Sequence, residues 1–163
     1  MFSYRHGFHA GNHADVLKHM VLVELIDHMT NKDKPFWVVD THAGGGVYNL
    51  KSGYAAKSGE AQTGIAKVWS QRANPLLPAS LKALVEQIAA CNEGDALRLY
   101  PGSPQLAAQM LRPGDHLRLY ELHPSESRAL ALHFADIKRG VSVQAADGFA
   151  NSRLVCLRRP SGA

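Results

Sequence analysis

Phe36-Trp37-Val38-Val39-Asp40-Thr41-His42-Ala43-Gly44-Gly45-Gly46 carries an apolar strand into an acid and then three glycines. Four apolar residues between Pro35 and the glycines read as a buried strand of a parallel sheet. The glycines let the backbone turn and approach a ligand without Cβ interference. Ligands of open α/β sheets bind at the carboxyl ends of strands, so the stretch predicts an α/β fold with a small anionic or adenosine-bearing ligand at residues 40–46. A dinucleotide site would require G-x-G-x-x-G, but Asn49 stands where the third glycine falls. The acid expected about 20 residues on to hold a ribose is matched only by Glu60, inside a helical pattern. The nicotinamide reading is weakened, and a plain tight turn remains the alternative.

The 163 residues are 45% hydrophobic and 20% charged, enough for one cored domain and without the bias of a disordered chain. Cys91 and Cys156 are too few for a disulfide framework and lack C-x-x-C spacing, which points to a reducing compartment. No signal sequence opens the chain, and Glu24 interrupts its most apolar helical stretch, so a cytoplasmic location away from membranes is expected. A net charge of +4 fits a polyanionic partner but is too mild to require one.

Asn12 reads as a helix cap, followed by Val16, Leu17, Met20, Val21, Leu25 and Met29 at helical spacing to about Thr30. The apolar runs Leu117–Glu121 and Val141–Asp147 read as strands flanking a helix over Pro124–Phe134, which implies a parallel pair. The roughly seventy residues between the first and second strands exceed what one crossover needs. Helical patterns at Glu60–Arg72, Pro78–Cys91 and Pro104–Leu111 predict a small helical insertion over about 48–98.

Each strand ends in an acid: Asp40, Glu121 and Asp147. Side by side in a parallel sheet, their carboxylates would converge on one crevice. Glu121 is suited to accept both hydroxyls of a ribose, and Asp147 with Gly148 to accept an adenine amino group, a division of labour that suits S-adenosylmethionine. The competing reading is that each acid caps the helix after it. The segment Tyr4–His19 packs four histidines and two cations into sixteen residues. It reads as a zinc site of His6, His9 and His13, as a polar lid with Lys18 and His19 near a ligand carboxylate and Tyr4 on a base, or as a solvated basic arm.

The run Ser3–His19, the Asp40-Thr41-His42-Ala43-Gly44 turn, Tyr100-Pro101-Gly102-Ser103-Pro104, Glu121-Leu122-His123-Pro124 and Ala146-Asp147-Gly148-Phe149 together resemble the RlmJ family over residues 1 to about 149. Its members are bacterial adenine-N6 methyltransferases that use S-adenosylmethionine on 23S ribosomal RNA, deproteinised or early in assembly. The resemblance implies a Rossmann-like class I methyltransferase fold with a small helical insertion. It implies that His19, His42, Ser103, Glu121, Asp147 and Gly148 contact S-adenosylmethionine. Tyr4 would meet the target adenosine, Arg5 and Lys18 the RNA, and no metal takes part.

The family's Asp-Pro-Pro-Tyr motif, which would follow Asp147 at the end of the fourth strand, does not occur in this sequence. Methyl transfer to a delocalised adenine N6 needs an acceptor for its hydrogens and an aromatic face for the base. A cofactor-binding chain with little chemistry is therefore expected, with a non-catalytic adenosine- or RNA-binding fragment as the alternative. The tail over 150–163 does not resemble the family. A shifted reading frame is the expectation that would account for it, since permitted codons read in another frame give ELKACLPPPSQRR, which resembles the family segment leading to the missing strand. A chain truncated there would leave Phe36–Val39 as an unpaired apolar edge prone to aggregation.

Overall fold

The computed structural model describes residues 6–51, 53–136 and 140–151. After a 3-10 turn at His6–Phe8 comes α1, His13–Thr30. Asn12 caps it: its side chain accepts the amide of Asp15 at 2.9 Å, while Asp15 reaches back to the amide of Gly11 at 3.2 Å. This reciprocal arrangement satisfies donors that a helix start otherwise leaves orphaned. Next come β1 (Trp37–Asp40), β2 (Val47–Asn49), α2 (Gly53–Ser58), α3 (Ile65–Ser70) and α4 (Ala79–Ala89). The remainder is β3 (Leu99–Pro101), α5 (Ser103–Met110), β4 (His116–Tyr120), α6 (Pro124–His133) and β5 (Val141–Gln144).

Two sheets result. β1, β4 and β5 form a parallel sheet in that order, with Trp37 beside His116 and Leu117 beside Val141. The α/β architecture expected from the sequence is present. β1 has β4 on one side and no strand on the other among the described residues. β2 and β3 pair antiparallel with Tyr48 opposite Tyr100. Sequence periodicity missed this ribbon because three-residue strands are too short to show alternation. The segment between its two strands is helical throughout its regular structure.

α1 joins two cores. Val16 and Val23 pack with Tyr48, Ile65, Leu84, Ile88 and Tyr100 in one. Ile26 packs with Phe36, Leu117, Leu119 and Leu130 against the sheet in the other. The buried face of α1 differs from the sequence reading: Leu17 is 60% and Leu25 59% exposed, with Val21 and Met29 also exposed. Apolar residues encircle this helix, so spacing alone could not choose the face. The strand limits also shift. Glu121 lies just beyond β4, and Asp147 lies three residues beyond β5.

The sheet is tied to α1 through one ion pair. Asp115 accepts the amides of Phe36 and Arg112 and is held by the Arg112 guanidinium at 3.0 Å. Arg112 also donates to the carbonyls of Thr30, Lys32 and Lys34. A planar fork with five donors can serve these acceptors together, whereas lysine cannot.

Candidate cofactor site

A cleft of about 400 Å³ opens at the carboxyl end of the sheet, within the size range of small-molecule sites. His6, Lys18 and His19 border it on the α1 side, and Glu121, His123 and Glu126 on the β4–α6 side. The glycine turn, Tyr48 and Ser103 close the remainder. The Lys18 ammonium and the carboxylates of Glu121 and Glu126 therefore stand on opposing borders, an arrangement suited to a ligand bearing both charges.

The glycine turn has an inward role. Four consecutive amides are already bonded: His42 to Asp40 at 3.1 Å, Ala43 to the Tyr120 carbonyl at 3.0 Å, Gly44 to Glu121 at 2.7 Å and Gly45 to the Tyr48 hydroxyl at 2.9 Å. β2 rather than a helix follows, so the turn lacks the helix start that holds a pyrophosphate, and the amides of residues 42–45 are already engaged. This corrects the anionic part of the sequence reading and removes the main support for a dinucleotide. Gly44 is required for a different reason. Its φ is +66°, and a Cβ there would collide with the Tyr48 hydroxyl.

Glu121 anchors the turn while keeping acceptor capacity. One oxygen takes the Gly44 amide and the other the His123 amide, each at 2.7 Å, which leaves lone pairs for ligand hydroxyls. On the opposite border Asp15, only 1% exposed, accepts from Lys18 Nζ at 2.8 Å and lies 3.0 Å from His6 Nε2. Burial pushes its carboxyl up, but hydrogen bonds and charge from His6, with the Lys18 hydrogen bond, outweigh this and hold it well below the usual carboxylate range. His19 is 4% exposed, with Nδ1 2.8 Å from the Tyr100 hydroxyl. Burial pushes its imidazole down from 6.5 to about 4 despite the nearby Asp15 charge, so the ring is neutral at pH 7.

The structure brings His19, His42, Ser103 and Glu121 to one cleft, together with Lys18. Asp147 and Gly148 do not line it. Asp147 accepts the amides of Phe149 and Ala150 at 2.9 and 3.2 Å, the capping role, and the Phe149 ring meets His42 edge-on at 5.0 Å. Of the three strand-end acids, Glu121 is the one that lines this cleft. Asp40 accepts the Ser103 hydroxyl at 2.6 Å and faces a neighbouring pocket, because local amides and hydroxyls turn each acid its own way. Tyr4 and Arg5 lie outside the described residues, as does the tail from 152. His6 and His9 turn to Asp15 and Glu60 respectively. No cluster of three or more metal-ligating side chains occurs among the described residues.

Gly148 sits against β1's turn. A Cβ there would fall 2.5 Å from Thr41 Cα and also meet the Thr41 carbonyl, and backbone cannot swing aside as a side chain can. Gly148→Ala is expected to cost about 1–3 kcal/mol of stability, read from denaturant unfolding. The sequence reading omitted Tyr48, Tyr100, Glu126 and His123. Tyr48 follows the glycines by two residues and Tyr100 precedes Pro101-Gly102, positions that a search around the glycine turns would have reached.

The family model described as "Ribosomal RNA large subunit methyltransferase D, RlmJ" matches residues 33–159. The chain belongs to the RlmJ family. Two curated relatives, both named Ribosomal RNA large subunit methyltransferase J, come from Escherichia coli and Haemophilus influenzae. They are 49% and 45% identical over 91% of this chain. The chain spans about half the length of these relatives, 52% of each. The crystal structure of a Legionella pneumophila protein aligns with a TM-score of 0.82 at 38% identity, covering 93% of this chain and 54% of the other. Among the described residues no helix is long and apolar enough to cross a membrane.

Proposed function

We propose that this chain forms the S-adenosylmethionine-binding part of a Rossmann-like class I methyltransferase acting on adenine N6 of 23S ribosomal RNA in the bacterial cytoplasm. The observation that carries the reading is the cleft beside the glycine turn, with Glu121 held by two backbone amides, neutral His19 and a cation on the facing border. S-adenosylmethionine, when bound, supplies a methyl group activated on a sulfonium. The donor set fits it: Glu121 accepts ribose hydroxyls, Lys18 faces the carboxylate, and His19, His42 and Ser103 offer further polar contacts. Asp147 and Gly148 shape the turn beside His42.

Lys18, together with Tyr4 and Arg5, is the proposed contact to RNA, through interactions that weaken with salt. The target adenine is drawn from its stack so that N6 reaches the cofactor. Acceptance of the N6 hydrogens falls to the family's Asp-Pro-Pro-Tyr motif, which is not in this sequence. The second reading, a non-catalytic adenosine- or RNA-binding fragment, is told apart by cofactor binding without methyl transfer.

Calorimetry with S-adenosylhomocysteine and NAD, followed by transfer of labelled methyl to deproteinised 23S RNA, separates these outcomes. Binding of S-adenosylhomocysteine but not NAD is expected, and methyl transfer to the RNA distinguishes the transferase from the binding fragment. Glu121→Gln should weaken S-adenosylhomocysteine about 10- to 100-fold, the loss of a charge-assisted acceptor. Tighter binding of NAD than of S-adenosylhomocysteine would overturn the proposal.

A further inference from the structure

The antiparallel ribbon places two buried tyrosines directly opposite each other, Tyr48 on β2 and Tyr100 on β3. Tyr48 holds the glycine turn through Gly45. Tyr100, fully buried, reaches the other border of the cleft, where its hydroxyl is 2.8 Å from His19 Nδ1 and the two rings stack at 5.5 Å. This contact can run in either direction, and the direction decides what His19 offers a ligand.

The surroundings choose between the two. If His19 Nδ1–H donated to the phenol, the Tyr100 hydroxyl proton would need another acceptor, and the hydroxyl has no other hydrogen-bond partner among the described residues. A buried donor without a partner is costly. If Tyr100 instead donates to Nδ1, the phenol proton and Nδ1 are both satisfied and the ring proton sits on Nε2, which faces the cleft rather than the closed interior. Burial raises the phenol well above its ordinary 10, so the hydroxyl keeps its proton. The imidazole stays neutral for the reason given above, so it has a single proton to place. Nε2 has no hydrogen-bond partner among the described residues, and His19 lines the cleft.

We infer that Tyr100 is a positioning residue that fixes His19 as the Nε2–H tautomer, making it a hydrogen-bond donor to an acceptor atom of the ligand in the cleft. A donor in that position favours ligands with an oxygen or unprotonated nitrogen there and disfavours those presenting a second donor. Tyr100 does not itself line the cleft and acts through His19. The binding part of this inference rests on the cofactor reading above, whereas the tautomer does not.

Nitrogen-15 NMR of the full chain with labelled histidine tests it, the His19 signals being identified among the nine histidines by their loss in His19→Gln. In the wild-type chain at pH 7, Nε2 should resonate as a protonated nitrogen and Nδ1 as an unprotonated one. Tyr100→Phe keeps the ring and removes only the hydroxyl. It should shift His19 toward a mixture of tautomers and weaken S-adenosylhomocysteine about tenfold. A wild-type His19 protonated on Nδ1 would overturn the inference without needing any variant. A Tyr100→Phe chain whose tautomer shifts while affinity stays unchanged would overturn its role in binding. Failure of the wild-type chain to bind S-adenosylhomocysteine would instead contradict the proposed function, with the nitrogen signals still deciding the tautomer.

Discussion

Asp15→Ala is expected to destabilise the chain by about 3–5 kcal/mol, the range for removing one partner of a buried charged network. Three donors converge on this nearly inaccessible carboxylate: the Gly11 amide, Lys18 and the His6 ring. Alanine leaves the buried Gly11 amide without an acceptor and opens a void beneath the start of α1. It also frees His6 and Lys18, both of which border the cleft, so ligand binding should weaken alongside stability. Denaturant unfolding at pH 7 measures the first effect and calorimetry the second. Asp15→Asn keeps the volume and one acceptor oxygen. Stability of that variant within about 0.5 kcal/mol of wild type, the range of an ordinary surface change, would show that the charge contributes nothing.

Acidification should destabilise the fold in two steps. His19 titrates near 4 when folded and near 6.5 when free, so between these values the unfolded chain binds more protons. Stability therefore rises with pH across that window and falls as the pH is lowered through it, by roughly 3 kcal/mol in total at 1.36 kcal/mol per pH decade. Asp15, held below its ordinary 3.8, keeps its contribution above that value and loses it only under stronger acid. Urea midpoints between pH 7 and pH 4 in wild type and His19→Gln check the sign. The slope should be steep in the wild type and much reduced in the variant. A flat wild-type profile would show that His19 is not buried as described.

Much of this arrangement was legible in the chain. Asn12 announces α1 because a short polar side chain before an apolar helical run has a specific capping use, and the structure shows that bond. The parallel sheet follows from apolar runs separated by a helix. The face of α1 was not legible, because Leu17, Val21 and Leu25 form their own apolar stripe on the exposed side. The strand-end acids were visible as residues, but their partners were not: Asp40 takes the distant Ser103 hydroxyl, Asp147 the amide of Phe149 and Glu121 the amide of Gly44. The inward role of the glycine turn was hidden for a similar reason. Glycines permit a close approach, and here Tyr48 and Glu121 supply it from within the chain.

The β2–β3 ribbon is the largest element missing from the sequence reading, and it matters most for the site. Tyr48 and Tyr100 act together only because the register sets them opposite each other, a relation across more than fifty positions that no local pattern reveals. His19 was identified as a site residue, yet its neutrality and its orientation come from this distant partner.

The most direct test of the cofactor site is an NMR titration of the full chain with S-adenosylhomocysteine, followed through backbone amides and histidine nitrogens. The account predicts saturable shifts concentrated at His19, Gly44, Ser103 and Glu121, with little change in the groove formed by Trp37, Arg118 and Ser142 on the sheet. Shifts centred on that groove, or a folded chain with no response at saturating ligand, would contradict it.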